Sequence, residues 1–212
     1  SQLAYFGSWE YMAGHMKADM EVLVTEVVDG KPDTKSQWVA LGKSKLKKLG
    51  DLKGKKIAFG GATSAAGFLF PAAQLLKEGV IANTRDGDKV FKAMAVARSE
   101  ESALKGLSAG KWDAVAVSAS APAKFLTPAE AKGLVVLAEM GPVPTPSFSI
   151  KSTLPPETKE KFRAAFLKLS TPENQELLKK VFSMEELVKR EHYQHADALQ
   201  QAGDLAELEY PL

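Results

Sequence analysis

One segment constrains the fold of this chain more than any other: the apolar run Ile57-Ala58-Phe59 stops at Gly60-Gly61-Ala62-Thr63-Ser64 and gives way to helix-forming residues as far as Glu78. A buried strand, a glycine-rich turn and a helix in succession form the repeating unit of α/β proteins with largely parallel strands. Asp51-Leu52-Lys53-Gly54-Lys55-Lys56 reads as the turn feeding that strand.

The turn also carries chemistry. The first amides of a helix have no partner within the helix and lie at the positive end of its dipole, so they hold an oxyanion without help from a basic side chain. Thr63 and Ser64 add hydroxyl donors. An ordinary N-cap preceded by turn glycines explains the same residues equally well. The segment is neither a Walker loop, because no Lys follows the last Gly, nor a G-x-G-x-x-G dinucleotide fingerprint.

The rest of the chain continues the alternation. Strands are expected at 3–6, 21–28, 37–41, 90–97, 114–117, 134–138 and 147–150, and helices at 8–18 and 99–109. Gly141-Pro142-Val143-Pro144-Thr145-Pro146 is expected to be an irregular connector, because its prolines remove backbone donors and fix φ. From Pro155 the chain reads as helical, with starts at Pro156-Glu157 and at Ser170-Thr171-Pro172-Glu173.

Composition excludes more than it selects. The 212 residues carry 28 basic and 26 acidic side chains, and 45% are hydrophobic, so one or two ordinary globular domains are open. The lysines between Lys43 and Lys56 lack the interleaved aromatics of a base-stacking surface, and no nucleic-acid partner is expected. With no Cys there is no disulfide or thiolate chemistry. No stretch approaches the length of a membrane-spanning helix, and no leader precedes the strand at Leu3.

Catalytic and metal sets are thin. His192 and His195 share a helix face, but His15 is the one other histidine, and the pair reads as a surface pair on an amphipathic helix. Glu100-Glu101 and Glu185-Glu186 sit where carboxylates favour a helix dipole. No catalytic residues, metal site or cofactor are expected. Trp9, Tyr11, Trp38 and Trp112 read as core or rim packing. Tyr5 and Phe6 differ, since they end a strand that runs into a helix, where open α/β sheets bind ligands.

Four segments, in order, resemble the phosphate/phosphite/phosphonate solute-binding proteins of ABC transporters: Leu3-Ala4-Tyr5-Phe6-Gly7; Asp29-Gly30-Lys31-Pro32; Asp51 to Ser64 with Gly67 and Pro71; and Gly110-Lys111-Trp112-Asp113-Ala114-Val115-Ala116-Val117. The return stretch Pro142 to Glu157 matches as well. The resemblance implies a two-lobed type 2 periplasmic-binding-protein-like fold, α/β with mostly parallel sheets and a helical C-terminal region, whose lobes close on a ligand like a hinged clamp. Residues 1–38 plus 147–212 would form lobe I, short at its N-terminus, and 39–146 lobe II.

The implied function is capture of a small oxyanion such as phosphonate, phosphite or phosphate, for delivery to a membrane permease, in a periplasmic or otherwise extracytoplasmic setting. Ligand-binding residues would be Tyr5, Phe6, Gly7, Thr63, Ser64, Ala65 and Ala66, with Ser118 and Ser120 as further candidates. Two features depart from the family. Its Ser-Thr-Ser-Gly helix start reads Ser64-Ala65-Ala66-Gly67 here, and its frequent His-Asp pair maps to Glu100-Glu101. The family's additional strand, helix and strand before Tyr5 are also absent, so compensation by a homodimer or by the C-terminal helices is expected. The alternatives are a sensor or protein-interaction module of the same fold with impaired ligand binding, and an enzyme on that fold.

Overall fold

The computed structural model describes residues 1–182 and 184–208. In chain order the elements are β1 (Leu3–Phe6), α1 (Ser8–Ala18), β2 (Met20–Val27), β3 (Asp33–Leu41), β4 (Lys56–Phe59), α2 (Phe70–Lys77), α3 (Gly87–Val90), β5 (Ala93–Val96), α4 (Glu100–Ser108), β6 (Ala114–Ser118), α5 (Ala121–Phe125), α6 (Pro128–Lys132), β7 (Leu134–Pro144), β8 (Ser147–Lys151), α7 (Pro156–Lys168), α8 (Gln175–Phe182), β9 (Glu186–Val188) and α9 (His192–Ala206). They form two compact units: unit 1 holds Ser1–Asp33 and Pro144–Gln200, and unit 2 holds Thr34–Val143 with the described residues from Gln201 onward. Residues 183 and 209–212, part of the lobe I expected from sequence, lie outside the described residues.

Unit 2 is built on a sheet of order β5-β4-β6-β3-β7. Strands β5, β4 and β6 run parallel, and β3 pairs antiparallel with β6. Successive strand residues face opposite sides of a sheet, and here both sides are buried. Trp38, Ala40, Ile57, Phe59, Ala114 and Ala116 pack with Leu75 of α2. Val39, Ala58, Val115 and Val117 pack on the other side with Ala103, Leu104 and Leu107 of α4. The near-continuous apolar runs in β4 and β6 follow from this double coverage.

Unit 1 carries a sheet of order β1-β8-β2-β9 whose pairs are all antiparallel. The expectation of mostly parallel sheets therefore holds for the β5-β4-β6 core and is corrected here. Strands β1 and β2 are joined through α1 and both run antiparallel to β8, so they run parallel to each other with β8 inserted between them. A β-α-β pattern in sequence does not reveal an inserted strand.

The connector expected at 141–146 is also corrected, because β7 continues through Pro142 to Pro144. β7 lies at the edge of its sheet, and an edge strand tolerates proline because its outward N–H groups need no ladder partner. Val90 ends α3, so the strand expected from that residue starts at Ala93.

Candidate functional site

Strands β4 and β5 are parallel neighbours in register Phe59↔Val96, which sets their carboxyl ends side by side. The turns that follow, Gly60–Ser64 after β4 and Ala97–Ser99 after β5, consequently border one another. The Ala97 N–H donates to Phe59 O at 2.8 Å. Together they line a recess of about 570 Å³ within unit 2, to which Val96, Arg98, Glu100 and Phe125 also contribute.

The first turn is held tightly. Ser64 is extended and its Oγ accepts from the Gly67 N–H at 2.8 Å, an N-cap bond. Residues Ala65–Leu69 form a π-helical turn, with Phe68 and Leu69 N–H both reaching Ser64 O at 3.0 and 3.2 Å, and this runs directly into α2. Such turns concentrate at functional sites. The Gly60 N–H donates to Gly67 O at 2.8 Å, folding the turn onto the helix it precedes. Added to Gly67, a Cβ would lie 3.1 Å from Gly60 Cα and 3.1 Å from Ser64 Oγ, so close approach requires glycine there. The Ala66 carbonyl accepts from Ser36 Oγ of β3 at 2.5 Å, tying the helix start to the sheet.

The second turn brings a carboxylate. Ser99 caps α4, its Oγ accepting from Ser102 N–H at 3.2 Å. Glu100 does not act as a dipole-facing surface residue. Its Oε1 accepts from the Ser118 N–H at 2.6 Å and its Oε2 from Ser118 Oγ at 2.8 Å. Burial raises its pKa above the ordinary carboxylate range, opposed by the two bonds from Ser118 and by the charge of Lys124. Glu101 instead pairs with Lys105 on the outside of α4, at 2.5 Å.

Of the residues singled out from sequence, Thr63 and Ser64 line the recess. Ala65 and Ala66 follow at the buried helix start. Ser118 is engaged by Glu100, and Ser120, whose Oγ lies 3.5 Å from that of Ser118, precedes α5. Tyr5, Phe6 and Gly7 belong to unit 1. The Tyr5 ring stands 5.0 Å from Phe148, and its hydroxyl donates to Glu26 at 3.2 Å. Burial, together with the Glu26 charge, raises its pKa. Phe6 lies against Gly14, where an added Cβ would sit 2.9 Å from its ring, and Gly7 caps α1, with its N–H donating to Glu10 at 3.1 Å.

Sequence reasoning missed Arg98, Phe125 and the inward role of Glu100. The signal was available, because Arg98-Ser99-Glu100 follows a strand and opens a helix just as Thr63-Ser64-Ala65 does. Ligands collect beyond the carboxyl ends of parallel strands, and adjacency of the two strand ends completes the argument.

The histidine reading is corrected. His195 is fully buried, and His192 is half-buried with its Nδ1 2.6 Å from Tyr11 Oη. His15 stacks on His192 at 4.0 Å, so the three histidines gather on α1 and α9 around Tyr11 in unit 1. The signal missed was the buried face of α1, on which Tyr11 has no exposed surface. Among the described residues no group of three or more His, Cys, Asp or Glu has the geometry of a metal site.

Comparison with known proteins adds independent findings. Residues 1–193 match the model of the family described as ABC transporter, phosphonate, periplasmic substrate-binding protein. The chain is 33% identical over 118 residues to the phosphate-import protein PhnD of Mycolicibacterium smegmatis, covering 53% of this chain and 36% of that protein. The match thus spans about a third of the curated relative. Among solved structures, a Xanthomonas citri protein bound to ATP superposes with a TM-score of 0.79 at 16% identity, covering 97% of this chain and 78% of that one. The binding-protein component of an ABC phosphonate transporter from Pseudomonas aeruginosa gives 0.78 at 20% identity, with 97% and 68% covered. PhnD1 from Prochlorococcus marinus in complex with methylphosphonate gives 0.76 at 18% identity, with 96% and 77% covered.

Proposed function

The chain belongs to the periplasmic substrate-binding proteins of phosphonate ABC transporters, and from that premise we propose that it captures a small oxyanion such as phosphonate, phosphite or phosphate and presents it to a membrane permease. The observation that carries this reading is the turn from β4 into α2. It sets Thr63, the Ser64 hydroxyl and the opening amides of a helix beside Arg98 at the rim of one recess. Helix-start amides and an arginine together supply directed donors and positive charge, which is what an oxyanion needs. Alanine at 65 and 66 removes hydroxyls, not amides, so the backbone part of the cradle is retained.

The proposal takes in Tyr5, Phe6 and Gly7 from unit 1 and Ser118 and Ser120 from unit 2 as further contributors. Export to the periplasm or another extracytoplasmic compartment is part of the same reading. Among the described residues no helix is long and apolar enough to cross a membrane.

A thermal-shift series with methylphosphonate, phosphite, phosphate and sulfate tests it. A ligand at 100 times its Kd stabilises the native state by about 2.7 kcal/mol. The expected result is a rise in Tm with at least one phosphorus oxyanion, abolished by Ala65→Arg, whose side chain fills the cradle. No shift with any of them sinks the reading. Ser64→Ala should weaken binding by about 1.5–3 kcal/mol, the worth of a charge-assisted hydrogen bond.

A further inference from the structure

The recess holds more than donors. Among its described lining residues Glu100 is the one carboxylate, facing the same space as Thr63, Ser64 and Arg98. Its position is fixed from two directions. Both oxygens accept from Ser118 at the end of β6, at 2.6 and 2.8 Å. Its Cγ would lie 2.9 Å from a Cβ on Gly60, so the side chain lies directly against the first residue of the oxyanion turn.

The Ser118 amide is an obligate donor, so the oxygen it meets is an acceptor. Each carboxylate oxygen has two lone-pair directions and spends one on Ser118, leaving one apiece for a ligand. That remaining capacity accepts a proton-bearing group and repels a bare oxyanion. The burial that raises the Glu100 pKa has the same origin, since little water remains to screen the group.

Resting on the oxyanion reading above, we propose that Glu100 is the residue that selects the protonation state of the ligand: the site takes an oxyanion that still carries a hydroxyl proton and rejects one that carries none. Three probes separate cleanly. Phosphate keeps a P–OH as both its mono- and dianion. Methylphosphonate has one only as the monoanion. Sulfate has none at neutral or mildly acidic pH. The acceptor oxygen of Glu100 receives the P–OH hydrogen bond, while the Ser64 turn and Arg98 hold the remaining oxygens.

Calorimetric titration of the protein with the three anions tests this at about pH 5.5 and about pH 8.5, which bracket the second ionisation of a phosphoryl group. Methylphosphonate affinity should fall about tenfold per pH unit above that ionisation, because only the monoanion binds. Phosphate should vary by less than about threefold, since proton-bearing species persist at both values. Sulfate should not bind at either. Glu100→Gln keeps a side-chain acceptor for Ser118 but removes the charge; it should flatten the methylphosphonate profile and admit sulfate.

A methylphosphonate affinity that does not change with pH overturns the inference, whatever the variant does. So does sulfate binding to the unaltered protein at the lower pH, which would trace the effect to titration of Glu100 itself. So does a Glu100→Gln protein that keeps the original profile. If none of the three anions binds the unaltered protein, the oxyanion reading falls and this inference with it; binding with a flat profile removes the inference alone.

Discussion

A methyl group on Gly60 would lie 2.7 Å from the Ala116 carbonyl oxygen and 2.9 Å from Glu100 Cγ. The carbonyl belongs to β6 and cannot swing aside, so relief must come from the backbone of the turn. Gly60→Ala is expected to destabilise the protein by about 1–3 kcal/mol, the usual cost of overpacking, and to weaken anion binding at the same time by displacing Ser64. A denaturant titration with a parallel binding measurement checks both, and unchanged stability would show that the turn has slack. The glycines around the turn were legible as turn formers. What they make room for was not, because close approach between β4, β6 and α4 is a property of register.

Elements α1 and α9 meet through ionisable groups. His195 is fully buried and neither ring nitrogen has a partner, while burial, with Arg190 and His192 nearby, lowers its pKa to about 3. His192 is lowered by burial and by His15, with Asp197 and Glu21 acting the other way. A histidine whose folded pKa lies below its unfolded value near 6.5 binds more protons when unfolded, so stability rises with pH. The contribution is fully present above about pH 6.5 and is lost as pH falls toward the folded values, with a slope of at most about 1.4 kcal/mol per pH unit for each histidine. Melting temperatures should therefore drop between about pH 6.5 and about pH 4. His195→Leu should reduce that drop, since it replaces two unsatisfied nitrogens by an apolar side chain. An unchanged pH profile in the variant would exclude His195 as the cause. Elements with strong apolar period, such as α1, β4, α4 and β6, were legible from sequence to within a residue. β9 was not, because three residues carry too little pattern, and the end of β7 was not, because proline is excluded from strands only where the strand is interior.

Across the whole molecule the two units answer differently to damage. Phe148 of β8 contacts Tyr5 at 5.0 Å, Phe166 at 4.4 Å and Phe182 at 5.5 Å, and is buried in the cluster of Val24, Leu178 and Leu187. Phe148→Ala is expected to cost unit 1 about 3–5 kcal/mol and to raise hydrogen exchange in β1 and β2 together, with the amides of β4 and β6 in unit 2 keeping their protection. Equal loss in both units would mean that they unfold as one. The division into alternating α/β segments was readable along the sequence, whereas the strand that organises unit 1 was not, since it comes from the far side of unit 2.

That arrangement has a consequence during synthesis. Strands β1 and β2 leave the ribosome first but do not pair with each other; the place between them belongs to β8. At roughly 5–20 residues per second, they wait on the order of ten seconds for residues 147–151 to be made. In that interval 34–143 emerges as an unbroken stretch holding nearly all of the unit 2 sheet. Translation thus delivers the middle of the chain as the first part able to close its sheet, and leaves the N-terminal strands as unpaired edges until their central partner arrives.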